Sequence, residues 1–176
     1  MTRPRVAIVA TGSELVRGDR RDRNGPFLAH AVLSLGLDPA RITIVWDDPA
    51  ELEASLRDAF TADLCVVSGG LGPTHDDRTV ELVARAAGVG LVVDDALEAE
   101  IGAVSRAFAE RLGRPYADFK HGVRKQATLP EGAIPTGLAG TAPGFGTAGV
   151  SPMPPYGAIL KPREIRDIVE FLSVLK

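Results

Sequence analysis

A regular alternation of short apolar runs and helix-like segments is the feature of this sequence that most constrains its fold. Three runs rich in valine and isoleucine have the composition of strands buried on both faces of a sheet. These runs span 5–10, 41–46 and 64–68. Each is followed by a segment whose apolar residues recur at helical spacing, at 24–35, 49–60 and 79–87. This succession predicts a parallel sheet joined by right-handed helical crossovers, which is an α/β fold.

Capping and punctuation signals set the expected ends of the helices. Asn24 is the expected N-cap of the first helix, because its side chain can accept a hydrogen bond from a backbone N–H of the first turn. Asp94 is expected to cap a longer helix that ends at Gly113. Frequent glycine and proline predict no long element between 113 and 156. A terminal helix is expected from Pro162, with an apolar stripe formed by Ile165, Ile168, Val169 and Leu172.

The composition suits one domain, expected to span residues 1–176. Hydrophobic residues make up 45% of the chain and charged residues 24%, so the chain can bury a core. The 20 basic and 23 acidic residues argue against binding of duplex nucleic acid. The apolar runs are too short to cross a membrane and no secretory signal pattern is present, so a cytoplasmic protein without a membrane partner is expected. The single cysteine, Cys65, excludes a disulfide framework and is expected to be buried and unreactive.

A glycine-rich loop after the third predicted strand is the most informative segment for function. Residues 68–79 have the sequence Ser-Gly-Gly-Leu-Gly-Pro-Thr-His-Asp-Asp-Arg-Thr, and we call them the signature loop. The absence of side chains at Gly69, Gly70 and Gly72 lets successive backbone N–H groups approach an anion. The helix that follows would direct its positive N-terminus at the same place, so the loop predicts a phosphate site.

Two aspartates in the signature loop indicate a divalent cation. Asp76 and Asp77 would repel a bound phosphate unless a cation lies between the charges, and Mg²⁺ is commonly held by one or two carboxylates together with phosphate oxygens. The alternative is a tight strand-to-helix turn in which one aspartate caps the helix. P-loop proteins and dinucleotide-binding dehydrogenases are both disfavoured, because the sequence has neither the P-loop lysine nor a G-x-G-x-x-G at the first strand–helix turn.

The signature loop resembles the corresponding loop of the MoaB/Mog-like molybdopterin-binding domain, in the form found in the CinA family. Further segments match the CinA pattern in the same order along the chain. They are 11–15 with Gly18 and Asn24, the acidic Asp47, 125–132 and 140–145. The resemblance implies a three-layer α/β/α fold around a mixed, mostly parallel sheet. It also implies a homo-oligomer, either a dimer or a trimer.

The same resemblance implies a pocket that binds a phosphorylated nucleotide or pterin at these loops. CinA-type domains are similar to a metal-dependent ADP-ribose pyrophosphatase. The expected activity is therefore hydrolysis of such a pyrophosphate with Mg²⁺ or another divalent cation. Two alternatives stay open: a non-catalytic module that binds molybdopterin or a nucleotide, and a Mog-like molybdopterin adenylyltransferase.

The resemblance also implies roles for individual residues. Asp47 and Asp77 would form the catalytic acidic pair, and Asp76 would join Asp77 in binding the metal. Thr79 is expected to cap the following helix rather than to touch the ligand. The expected phosphate-binding residues are Gly69, Gly70, Gly72 and Thr74. The opposite wall would come from Thr11, Gly12 and Glu14, and the pocket would be closed by Thr141 and Gly144.

The C-terminal part departs from the family pattern from about residue 146. The stretch 146–155 scarcely resembles a strand and lacks the Pro-Gly-x-Pro loop that helps to form the family's site. This departure weakens the case for an intact catalytic site. Residues 151–172 resemble the end of a c-type cytochrome domain, but no C-x-x-C-H segment exists to attach the cofactor, so no haem is expected.

Two features near the first loop have open interpretations. Trp46, beside Asp47, either stacks on an adenine or pterin ring or packs at the end of a strand. The first loop also carries a basic cluster, which is either a solvated loop paired with nearby acids or a lid that grips ligand phosphates. Its members are Arg17, Arg20, Arg21 and Arg23.

Overall fold

The computed structural model describes residues 2–135 and 171–173 and contains the strands and helices predicted for the first half. The strands are β1 (Arg5–Thr11), β2 (Asp38–Val45), β3 (Leu64–Ser68), β4 (Leu91–Val93), β5 (Thr128–Pro130) and β6 (Phe171–Ser173). The helices are α1 (Ser13–Val16), α2 (Asn24–Ser34), α3 (Pro49–Ala59), α4 (Thr79–Ala87), α5 (Asp95–Leu112) and α6 (Lys120–Gln126), with a 3₁₀ turn at Tyr116–Phe119. None of the helices described is both long and apolar enough to cross a membrane.

A four-stranded mixed sheet forms the middle of the fold, in the order β2-β1-β3-β6. β1 pairs in parallel with both β2 and β3, whereas β6 runs antiparallel to β3. The expected mixed and mostly parallel sheet is therefore confirmed. Because β1 is central, its carboxyl end lies between the ends of β2 and β3, and ligands of open parallel sheets bind at this edge.

Helices cover both faces of the sheet because β1 is apolar on both sides. Val6 and Ile8 pack against Leu28 of α2. Ala7 and Val9 alternate to the opposite face, where α3 and α4 contribute to a second apolar cluster. The expected three-layer α/β/α architecture is confirmed.

A buried carboxylate joins the two helices on the second face. Glu53 of α3 is 8% exposed and forms ion pairs with Arg57, one turn along the same helix, and with Arg85 of α4. The Arg85 Nη2 atom lies 2.9 Å from Glu53 Oε2. Burial of a carboxylate is costly unless a cation lies close to it, as the two arginines do here. The pairing holds α4, the helix that follows the signature loop, against α3.

Two expectations about single residues outside the site are confirmed. Asp94 caps α5, since its Oδ1 accepts a hydrogen bond from the Leu97 N–H at 2.8 Å, and α5 ends at Gly113 in the left-handed conformation. Cys65 is buried in β3, and burial raises the pKa of its thiol to about 11. The thiol is therefore protonated at neutral pH and unreactive.

The structure corrects the expected cap of α2. The N-cap position is Arg23, not Asn24, and the Oδ1 atom of the preceding residue, Asp22, accepts hydrogen bonds from the N–H groups of Asn24 and Gly25 at 2.9 and 3.0 Å. The Asn24 side chain instead donates a hydrogen bond to Ser68 Oγ at 2.7 Å. Asn24 therefore ties the start of α2 to the end of β3, where the signature loop begins.

The ends of two other predicted elements also differ from expectation. β2 ends at Val45, so Trp46 follows the strand instead of closing it. The terminal helix is wrong at Phe171–Ser173, which form β6, and Leu172 of the predicted stripe pairs with Val66. The remainder of that predicted helix and the segment from about 146 lie outside the described residues.

Replacing Leu56 by alanine should destabilise the fold. Leu56 is fully buried between α3 and the sheet, so the truncation leaves a cavity and should lower the free energy of unfolding by about 2–5 kcal/mol. The matched control is Leu35→Ala, since Leu35 is 76% exposed and its truncation should change that free energy by less than about 0.5 kcal/mol. Urea denaturation measures both variants, and equal effects would contradict the described core.

Candidate functional site

The first loop is fastened to the end of β2 by a single carboxylate. Asp47 Oδ1 accepts a hydrogen bond from the Thr11 hydroxyl at 2.9 Å. Asp47 Oδ2 accepts two more, from the Ser13 N–H at 2.8 Å and from the Ser13 hydroxyl at 2.9 Å. Both oxygens of Asp47 therefore hold the loop after β1 against the segment that follows β2.

The signature loop leaves β3 in close contact with the end of β1. Gly69 has a φ of +101°, and a Cβ there would lie 2.2 Å from the Thr11 carbonyl oxygen. Gly70 has a φ of +61°, and a Cβ there would lie 2.3 Å from Thr79 Oγ1. Only glycine fits this turn, because any side chain would be both strained and sterically blocked. The two glycines thus let the loop fold back between β1 and α4.

Thr79 holds the first part of the signature loop from the start of α4. Its hydroxyl donates a hydrogen bond to the Gly69 carbonyl at 2.9 Å, and its N–H donates to the Gly70 carbonyl at 3.2 Å. The side chain is almost completely buried. The expectation that Thr79 caps α4 is wrong, since the cap position is Arg78 and no side chain caps this helix. For the same reason, neither Asp76 nor Asp77 is a helix cap.

The signature loop presents successive backbone donors that the described part of the chain does not use. The N–H groups of Gly70, Leu71 and Gly72 make no hydrogen bond within residues 2–135 and 171–173. The adjacent α4 N-terminus also has no side-chain cap. Successive free amides beside the positive end of a helix are the arrangement that binds phosphate in many proteins.

Asp77 stabilises the loop with one of its carboxylate oxygens. Its Oδ2 accepts a hydrogen bond from the Thr74 N–H at 3.0 Å and another from the Thr74 hydroxyl. The carboxylate packs on Gly72, where an added Cβ would lie 2.5 Å from the same oxygen. The other oxygen, Oδ1, accepts no hydrogen bond from the described residues. Asp77 therefore holds the loop and keeps one oxygen available.

Asp76 is the exposed member of the acidic pair. Its side chain is 73% exposed, and its Oδ1 lies 3.9 Å from Nδ1 of His75. Hydrogen bonding to Thr74 is the main cause that lowers the pKa of the Asp76 carboxyl, so this group is ionised at neutral pH. Residues 2–135 contain no group of three or more His, Cys, Asp or Glu side chains that could hold a metal ion. The donors present suit a Mg²⁺ ion that completes its coordination with ligand phosphate oxygens.

Lys125 supports the other half of the loop, a role that reasoning from the sequence missed. Its Nζ donates hydrogen bonds to the carbonyl oxygens of Gly72, at 3.3 Å, and of Thr74 and Asp77. Desolvation lowers the pKa of the ammonium group, against the opposing effect of the carboxylates nearby. The only signal in the sequence was the match of 125–132 to the CinA pattern, because the contact spans about fifty residues of chain.

The remaining predicted site residues lie in or near the first loop. Thr11 is buried and its hydroxyl is bound to Asp47, so it connects the loops rather than lining an open wall. The Glu14 carboxylate folds back towards Gly12, where an added Cβ would lie 3.1 Å from Glu14 Oε2. Thr141 and Gly144 lie outside the described residues, so their expected closing role stays a prediction.

Comparisons with known proteins agree with this geometry. A family model described as "Probable molybdopterin binding domain" matches residues 7–151. A CinA-like protein of Mycolicibacterium vanbaalenii is 45% identical over 161 residues, and one of Mycobacterium tuberculosis is 44% identical over 177 residues. These matches cover 86% and 93% of this chain but 38% and 39% of the relatives, so the chain spans less than half their length.

A solved structure has the same fold. The crystal structure of a CinA protein of unknown function from Thermoplasma acidophilum is 30% identical and superposes with a TM-score of 0.65. The match covers 77% of this chain and 75% of that chain. The expected homo-oligomer and the expected cytoplasmic location stay predictions.

Gly69→Ala should disrupt the signature loop. The new Cβ would meet the Thr11 carbonyl oxygen at a positive φ, so the backbone must shift, and we expect a loss of at least about 2 kcal/mol in unfolding free energy. The control is Gly88→Ala, with a φ of +71° and open space around the added Cβ, which should cost only about 1 kcal/mol for the backbone conformation. Urea denaturation compares them, and an equal cost would refute the close approach.

Lys125→Met should loosen the loop without removing its acids. The change removes the lysine donor from three carbonyl groups, of which only that of Thr74 keeps another donor among the described residues, the Asp77 N–H, and this should cost about 1–3 kcal/mol of stability. Hydrogen–deuterium exchange of 72–78 measures the effect directly, since the Asp77 N–H is bonded to the Thr74 carbonyl in the intact loop and should exchange faster in the variant. Lys120→Met, at an exposed position on the same helix, is the control and should leave exchange in this segment unchanged.

Proposed function

Because this chain belongs to the molybdopterin-binding domain family in its CinA-like form, we propose that it binds a phosphorylated nucleotide or pterin at the signature loop. We further propose that it hydrolyses an ADP-ribose-type pyrophosphate with the help of a divalent cation. The observation that carries the proposal is the row of N–H groups at Gly70, Leu71 and Gly72, which donate to no acceptor within residues 2–135 and 171–173. Phosphate oxygens are the ligand group that such a row of donors suits best.

The hydrogen-bond pattern of the loop favours an anion on electrostatic grounds. Five carbonyl oxygens of the loop accept hydrogen bonds from the protein, whereas the N–H groups of Gly70, Leu71 and Gly72 donate to no acceptor among the described residues. These carbonyls belong to Gly69, Gly70, Gly72, Thr74 and Asp77. The described residues thus leave the positive ends of these peptide dipoles unpaired, close to the positive end of α4. The loop binds negative charge even though its lysine donates inward.

The acids of the loop then require a cation. A phosphate at the amides would lie close to the ionised Asp76 and to the free oxygen of Asp77, and this repulsion is removed when Mg²⁺ or another divalent cation lies between them. When bound, the metal would supply charge neutralisation and a more acidic water molecule for attack on the pyrophosphate. Asp77 would orient that water and the metal through Oδ1, while Oδ2 keeps the loop in place.

The second candidate is a binding module without turnover. It is favoured by the engagement of Asp47, whose two oxygens already accept hydrogen bonds from Thr11 and Ser13. A carboxylate bound in this way is a poor general base, because three of its roughly four lone-pair sites are occupied. In this case the same amides bind the phosphates, and the acids serve only to bind the metal and to stabilise the loop.

Asp77→Asn should abolish hydrolysis while leaving the fold intact. An asparagine oxygen can still accept the Thr74 hydrogen bonds, but it has no charge to bind a cation or a water molecule strongly, so turnover should fall by about a hundredfold or more. The measurement is release of AMP from ADP-ribose with Mg²⁺, in parallel with thermal unfolding. The control is Asp95→Asn, at an exposed position on α5, which should retain full activity.

The same experiment separates the two candidate functions. If wild-type protein releases no AMP but is stabilised against heat by AMP or a pterin phosphate, the binding module is supported, because a ligand that binds only the folded state raises its apparent stability. If neither turnover nor stabilisation occurs, both candidates are refuted.

A further inference from the structure

Trp46 places an aromatic ring at the end of β2, next to the carboxylate that fastens the first loop. It is the single tryptophan of the chain and is half-buried. The guanidinium carbon of Arg17 lies over this ring, 5.0 Å from its centroid. This distance is that of a cation–π contact. Arg17 ends α1, the short helix whose first residue, Ser13, is bound to Asp47, so ring and guanidinium are held by the same loop.

The ring and the phosphate donors lie on opposite sides of one residue. Thr11 ends the central strand: its hydroxyl is bound to Asp47 after β2, and its carbonyl is in contact with Gly69 after β3. Neighbouring strands are about 4.8 Å apart, so the ends of β2 and β3 are separated by roughly 10 Å. That is the scale of one mononucleotide, from its phosphate to its base. A mononucleotide with its phosphate at these amides is therefore long enough to reach the Trp46 region with its base.

We propose that Trp46, with Arg17 over its ring, is the subsite for the flat heteroaromatic ring of the phosphorylated ligand, an adenine or a pterin. This inference rests on the proposed function and names the part of the ligand that the phosphate loop cannot recognise. An indole face stacks on any flat ring, and an arginine plane does the same.

Packing alone gives a different expectation for the same pair. If Arg17 and Trp46 serve only to close the first loop, removal of the indole loosens the Ser13–Asp47 contacts and affects every ligand equally. If the ring is a subsite, only ligands that carry a heteroaromatic ring are affected. A comparison of ligands with and without the ring therefore distinguishes the two roles.

The test is a titration of the full chain, in Mg²⁺, with AMP, a pterin monophosphate and ribose 5-phosphate. Trp46 is its own probe, because it is the only tryptophan and stacking on it quenches its fluorescence. We expect quenching by AMP or by the pterin phosphate but not by ribose 5-phosphate, and the ligand that quenches identifies the ring. Calorimetry of Trp46→Leu should show affinity for that ligand reduced about tenfold and affinity for ribose 5-phosphate unchanged.

Two further variants keep the test decisive. Trp46→Phe retains a ring and should restore most of the affinity lost in Trp46→Leu, which a general loss of folding would not allow. Phe108→Leu removes an exposed aromatic side chain on α5 and should have no effect on any ligand.

The possible outcomes separate this inference from the proposed function. Binding of all three ligands with no change in fluorescence, or an equal loss for all of them in Trp46→Leu, overturns the ring subsite and leaves the phosphate site standing. Failure of the wild-type chain to bind any of the three overturns the proposed function, and the ring subsite with it.

Discussion

The site depends on how the signature loop satisfies its own backbone. Lys125 and Thr79 donate hydrogen bonds to the carbonyl groups on the inner side of the loop, and nothing in the described chain accepts from the N–H groups at 70–72. A buried carbonyl without a donor would be costly, so these two residues make the turn possible. The anion site proposed at these N–H groups thus depends on the way in which the loop is held.

Close contact between two strand ends is the second constraint. Gly69 touches the Thr11 carbonyl, and Thr11 in turn binds Asp47, so the loops after β1, β2 and β3 form one connected unit. Glu53 supports the loop after β3 indirectly, because it holds α4, the helix that follows this loop, against α3. Thr11 is therefore the residue through which the three loops contact one another.

The sequence predicted those features that depend on local pattern. The apolar runs predicted β1 and β3 almost to the residue, because strands buried on both faces have few alternatives. The glycines of the signature loop predicted a turn with free amides, and Asp94 predicted the start of α5. In each case the physical cause lies within a few residues of the pattern.

Features set by distant contacts could not be predicted in this way. The local rule made Asn24 a helix cap, but its side chain donates a hydrogen bond to Ser68, 44 residues away, and the carboxylate of Asp22 accepts from the first N–H groups of α2 instead. Lys125 reaches the loop from α6 across about fifty residues, so its role is visible only in three dimensions. At Phe171–Ser173 the helical spacing of apolar residues was misleading, since the free edge of β3 offers strand pairing to a short apolar segment.

The acids of the site differ in what the fold needs from them. Asp47 and Asp77 each accept a hydrogen bond from a backbone N–H group, so both carboxylates have a structural role in holding a loop. Asp76 accepts no hydrogen bond from the backbone N–H of another described residue, and its side chain is largely exposed. A cation shared with a phosphate would therefore approach from the side of Asp76 and of the free Asp77 oxygen.

Since Trp46 and the free amides lie on opposite sides of Thr11, a ligand that uses both must carry its ring and its phosphate roughly 10 Å apart. An inorganic phosphate could satisfy only half of this site.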